Sequence, residues 1–120
     1  GVKQRKNEQL SGLIRMHLAE IISREMSDPR TDSVVITRVE LSSDGSFARV
    51  FVSSLEDGGG ETSDAMKSLI RASGFIRKNL SGRMGTRTVP TLRFVWDDSV
   101  RRGEEVLSLL RSLDTGVQGS

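Results

Sequence analysis

Cysteine is absent from the 120-residue chain, which excludes disulfides, thiolate metal sites and thiol nucleophiles. Histidine occurs once, as His17 beside the apolar stripe of a predicted helix. No motif supplies it with a catalytic or metal-binding partner, so a structural role is expected. Tyrosine is missing, and four Phe and one Trp are too few for a base-stacking sheet platform. No apolar run nears the roughly 20 residues of a membrane-spanning helix, and the start shows no signal-peptide core. A soluble protein is expected. The serines sit in no nucleophile elbow, and the triple glycine Gly58-Gly59-Gly60 is not followed by the Lys-Ser/Thr of a phosphate loop. The sequence offers no enzyme and calls for no cofactor.

What is present fits one domain with its own core. The formal net charge is only +2, but it is unevenly distributed. Residues 31–66 carry two cations against seven carboxylates, whereas residues 67–102 carry nine cations against Asp97 and Asp98. That asymmetry points to one polyanion-binding surface.

The organising stretch is Asp64 to Met84. Ala65, Met66, Leu69, Ile70, Ala72, Phe75, Ile76 and Leu80 recur at helical spacing and predict one buried stripe. Lys67, Arg71, Arg77 and Lys78 lie across from it. Ser73-Gly74 interrupts the pattern and predicts a kink or a helix–turn–helix join.

In chain order, Lys3, Arg5 and Lys6 form a basic arm over residues 1–7, expected to be mobile. Glu8 to Met26 predicts a helix with Leu10, Leu13, Ile14, Leu18, Ile21, Ile22 and Met26 on its buried stripe, ended by Asp28-Pro29. Val34 to Leu41 alternates, with Val35, Thr37, Val39 and Leu41 on one face. Turn residues Ser42 to Ser46 join it to Phe47–Leu55, where Ala48, Val50 and Val52 share a face, as in a β-hairpin. Thr62-Ser63-Asp64 offers an N-cap for the central helix. Leu92 to Trp96 forms a third strand with Leu92, Phe94 and Trp96 inward, and Asp97-Asp98-Ser99 caps a last helix over about 100–113. Residues 114–120 are expected to fray.

The fold class is therefore α+β: α-β-β-α-kink-α-β with a C-terminal helix, and a three-stranded mixed sheet in which the third strand lies parallel to the second. The domain proper spans residues 8–113. A basic helix–kink–helix suits a phosphate backbone, and with a sheet beside it the arrangement suits RNA better than a helix-turn-helix DNA reader.

This order resembles a type II KH domain, whose RNA clamp is a GxxG loop between the paired helices. Here Ala72-Ser73-Gly74 stands at the join. The literal Gly82-Arg83-Met84-Gly85 comes after the second helix, where glycines end helices. An Ala-x-Gly kink is similar to the ribosome-binding factor A family. Further residues agree from about 5 to 113: Asp28-Pro29-Arg30, Gly74-Phe75-Ile76-Arg77, Pro90-x-Leu92-x-Phe94-x-x-Asp97-x-Ser99-x-x-x-Gly103 and Leu109-Leu110.

The resemblance implies a non-catalytic RNA-binding assembly factor acting in late maturation of the small ribosomal subunit, in the processing of pre-rRNA. Its implied partners are that subunit and its rRNA, with ribosomal proteins and assembly GTPases besides. It further implies a cytoplasmic monomer, no membrane, and a link to growth in the cold. The expected RNA contacts are Lys67, Arg71, Ala72, Ser73, Gly74, Arg77 and Lys78 at the kink, Arg83 and Arg87 beyond it, and Lys3, Arg5 and Lys6 in the arm. The rivals are a general KH-like module for single-stranded RNA, an adaptor docking a basic ribosomal protein through Glu56, Asp57 and Glu61, and a metal-dependent nuclease on Asp97 and Asp98.

Overall fold

The computed structural model describes residues 2–54, 60–86 and 88–118, with side chains apart from those of 2–5, 100–101 and 114–118. Helix α1 (Val2–Glu20) passes into a π-helical turn, Ile21–Glu25. Strands β1 (Val34–Leu41) and β2 (Phe47–Ser54) follow, then helices α2 (Asp64–Arg71) and α3 (Ser73–Met84), strand β3 (Thr91–Trp96) and helix α4 (Ser99–Gln118). Residues 2–7, expected as an arm, carry helical backbone as the start of α1.

The sheet has the order β1-β2-β3, with β1 antiparallel and β3 parallel to β2. This is the mixed sheet the sequence predicts. Its inner face carries Ile36, Val39, Ala48, Val50, Val52, Leu92 and Phe94, and onto it pack Ile14, Leu18, Ile21 and Ile22 from the first helix and Met66, Leu69, Ile76 and Leu80 from α2 and α3. Trp96, expected inward with Leu92 and Phe94, is half-buried at the margin of this core.

Three expectations are corrected by the packing. In β1 the buried residues are Ile36 and Val39, three apart, because the register slips between Ile36 and Arg38 and leaves Thr37 as a bulge. The single face Val35/Thr37/Val39/Leu41 is thereby broken. Leu13 is exposed, one position off the stripe that faces the sheet. Ile70 and Phe75 are also exposed, since Met66, Leu69, Ile76 and Leu80 already fill the inward row and each of the two lies a helical step of about 100° to its side.

The hairpin turn shows why its residues are polar. Asp44 Oδ1 accepts from the Ser42 and Ser46 hydroxyls, each at 2.7 Å, and from the Ser46 N–H at 3.1 Å. Gly45 takes φ +74°, a conformation that glycine adopts without a Cβ clash. The hydroxyls lead in holding the Asp44 carboxyl down at about 2.

Helix α4 carries Val106, Leu107, Leu109, Leu110 and Leu113, each more than half exposed. The surface that this apolar row calls for is not supplied by the described part of the chain. The radius of gyration, 17.3 Å, reflects that projecting helix; a compact chain of this length measures about 14 Å.

Candidate nucleic-acid interface

The kink between α2 and α3 is one residue wide. The Ser63 hydroxyl opens α2 by accepting from the Met66 N–H at 3.3 Å, and Asp64 in the first turn favours that end. At the other end Ala72 leaves the helix with φ −87° and ψ 3°. Its N–H still donates to the Ser68 carbonyl at 3.0 Å, while its own carbonyl accepts from the Ile76 N–H at 2.8 Å. Ala72 thus closes one helix and opens the next. A GxxG loop has no room here.

Because the join is so short, the outer faces of the two helices run on from one to the other. Lys67, Ile70 and Arg71 in α2 continue into Gly74, Phe75 and Lys78 in α3, all exposed. Ala72 and Ser73 are half-buried at the bend. Three cations therefore border the kink with two exposed apolar side chains among them, and Gly74 has open space where a Cβ would stand.

Two of the predicted contacts are already engaged within the chain. The Arg77 guanidinium donates to the Val89 carbonyl at 3.0 Å, fastening the segment that enters β3 to α3. Arg83 Nη1 pairs with Glu20 at 2.7 Å and its Nη2 with Glu25 at 3.3 Å. The π turn explains that double pairing. Its Met26 N–H reaches back five residues to the Ile21 carbonyl at 3.2 Å. Such wider winding brings residues five apart toward one side, so both carboxylates meet one guanidinium. Gly82 lies within α3, and Gly85 ends it in the left-handed conformation at φ +65°.

Lys6 is exposed in α1, whose neighbouring Asn7 donates to the Ser42 carbonyl at 3.4 Å and so places this end of the helix by the hairpin turn. The side chains of Lys3 and Arg5, and the whole of Arg87, lie outside the described residues, as do Glu56 and Asp57 of the adaptor reading.

The sequence reading missed a groove of about 580 Å³ between the kink and β3, lined by Met66, Ile70 and Ser73 on one side and Leu92–Val95 on the other. Arg49, Arg93 and Glu61 also line it. Arg49 and Arg93 are register partners on β2 and β3. The parallel placement of β3, itself predicted, was the signal that would have put Arg93 beside α2. Elsewhere on the open sheet face, Phe51 lies 4.1 Å beneath the Arg38 guanidinium, and Arg49 pairs with Glu40 at 3.2 Å.

The carboxylates near these cations serve the backbone. Asp28 is held below its usual value first by the Arg30 N–H, which donates at 3.0 Å. The Ser68 hydroxyl faces the same carboxylate without closing a hydrogen bond of standard geometry, and the charges of Arg30 and Arg71 add to the effect. Asp97 is lowered chiefly by the Thr37 hydroxyl, then by the Ser99 N–H at 2.9 Å, as a cap for α4. Asp98 accepts from the Trp96 indole and from Arg102, each at 3.0 Å. Both neighbouring carboxylates are thus committed to capping and pairing. Among the described residues no group of three His or acidic side chains is placed to hold a metal ion. Nor is any helix there long and apolar enough to cross a membrane.

Residues 6–110 match the family model for Ribosome-binding factor A. Ribosome-binding factor A of Thiobacillus denitrificans is 42% identical over 106 residues, covering 87% of this chain and 81% of its own. The Pseudomonas aeruginosa protein of the same name is 37% identical, covering 88% and 82%. Among solved structures, the crystal structure of ribosome-binding factor A from Thermus thermophilus superposes with a TM-score of 0.65 at 30% identity, over 75% of this chain and 93% of that one. A Thermus thermophilus RbfA homology model, fitted into the cryo-EM map of a 30S–RbfA complex, gives 0.61 at 30% identity, over 73% and 91%. Matched over most of its length in sequence and in fold, the chain belongs to the ribosome-binding factor A family.

Proposed function

We propose that this chain is an assembly factor that binds the small ribosomal subunit and its rRNA during late maturation, acting in the cytoplasm without catalysis of its own. The observation that carries this reading is the set of exposed cations, Lys67, Arg71 and Lys78, on the two sides of a one-residue kink, in a chain whose Thermus relative is fitted into a 30S complex. Backbone phosphates suit that face because Lys67, Arg71 and Lys78 stand in water and lose little on contact. Arg93 extends the same charge to the β3 side of the groove.

Arg77 and Arg83 belong to the scaffold in this account, holding α3 against β3 and α1. The face they stabilise grips RNA by shape and charge and holds one rRNA arrangement while the subunit matures. Ribosomal proteins and assembly GTPases are further partners of the bound state.

Sedimentation of the purified protein with separated small subunits, large subunits and joined ribosomes tests the proposal. Selective retention on free small subunits is expected. Equal retention on every particle would reduce the role to general RNA binding, and none would reject it.

A further inference from the structure

Phe75 stands 48% exposed in the first turn of α3, beside the cationic face but engaged by none of its charges. Along the same side of the helix come Lys78, Asn79 and Gly82, at the spacings that stack residues over one another. Together with Glu25 and Arg83 they line an open depression of about 540 Å³.

The chemistry of that depression is specific. Phe75 supplies an aromatic side chain, and a Cβ at Gly82 would meet nothing within 4 Å, so that end of the depression is open. The Asn79 amide nitrogen donates to the Phe75 carbonyl at 3.0 Å, which leaves its Oδ1 to accept from an outside donor. Glu25, the one carboxylate among the described lining residues, is already paired with Arg83 at 3.3 Å. Lys78 stands at the rim, with Arg71 two turns back along the α2–α3 face. An apolar protein side chain would gain nothing from these cations, whereas a nucleotide uses both the ring and the charge.

We propose that this depression takes one unstacked nucleobase of RNA, lying on the Phe75 ring with an exocyclic amino group donating to Asn79 Oδ1 and its phosphate facing Lys78. The inference rests on the RNA-binding reading above and adds to it a preference for unpaired nucleotides. A base held in a duplex keeps both faces stacked and cannot reach the ring.

The test uses the full chain and an RNA hairpin carrying 2-aminopurine in its loop, with a second hairpin carrying it in the stem. The parent protein is expected to quench the loop probe. Phe75→Leu, which keeps apolar bulk but no aromatic face, should weaken loop-hairpin binding at least fivefold and abolish the quench. Phe75→Trp should retain both. Salt-sensitive binding and quenching that persist unchanged in Phe75→Leu would overturn the stacking site alone. Equal losses in Phe75→Leu and Phe75→Trp would also overturn it, since no stacking role predicts them. Absence of salt-sensitive binding by the parent, with Arg71→Ala no weaker, would reject the RNA reading itself and this inference with it.

Discussion

The Thr37 hydroxyl, at the bulge of β1, donates to the carboxylate of Asp97 just beyond the end of β3, across the width of the sheet. The same carboxylate caps the start of α4 through the Ser99 N–H. One extra residue in β1 thereby sets where the last helix leaves the domain.

Removing that hydroxyl should return the Asp97 carboxyl toward its ordinary value of 3.8, because the Thr37 hydrogen bond leads among the causes that lower it. Carboxyl NMR titration of Thr37→Val reads this directly. An unmoved pKa would mean that the Ser99 cap and the Arg38 charge hold the carboxylate without it. Stability should fall by roughly 1 kcal/mol, the usual net worth of such a bond.

The acid limb of the stability profile follows with a definite sign. Asp28, Asp44 and Asp97 are all lowered in the fold, so their contributions are complete above the ordinary value of 3.8 and are lost as the pH falls through the folded values. Stability should decline on acidification below about pH 4, with Asp44 protonating near 2. Chemical denaturation at stepped pH checks it; a profile that strengthens over that interval would contradict the assignment.

Arg83→Met should destabilise the protein by about 1–2 kcal/mol, since a half-buried guanidinium shared by two carboxylates exceeds an ordinary surface pair. Arg77→Ala should cost about 1 kcal/mol by leaving the Val89 carbonyl unpaired. Neither should change the salt dependence of RNA binding. Urea melts and binding isotherms of both variants separate the two effects, and a flatter salt slope with unaltered melting would move either residue to the RNA face.

Gly74→Ala is expected to leave the kink in place, because the bend is made at Ala72 and a Cβ at Gly74 meets nothing within 4 Å. Helix propensity should raise stability by up to about 1 kcal/mol. Weaker RNA binding together with that gain would show that RNA backbone approaches Gly74 closely; unchanged binding would place the contact on the side chains around it.

Much of this was legible from the residues. Apolar spacing located the bodies of the four α-helices and the three strands, though not the helical course of residues 2–7, and the hairpin followed by a helical crossover gave the parallel third strand. The bulge at Thr37 was not legible, since one inserted residue reverses an alternation that Val35, Thr37 and Val39 otherwise obey. Ile70 and Phe75 were misread because a mean helical stripe is broader than the row that the sheet accepts. The cationic cluster was visible, but its division was not. Arg77 and Arg83 look like Lys78 in sequence, and only the π turn and the Val89 carbonyl distinguish them.

The central claim is that Lys67, Arg71 and Lys78 meet rRNA phosphates across the kink, with Arg93 beside them. Retention on free small subunits, measured from 50 to 200 mM salt, tests it most directly. Four phosphate contacts predict a loss of affinity of roughly a hundredfold over that range, and each Ala substitution at Lys67, Arg71 or Lys78 should reduce the logarithmic slope by about one. Slopes that stay the same in all three variants, on folded protein, would contradict the account.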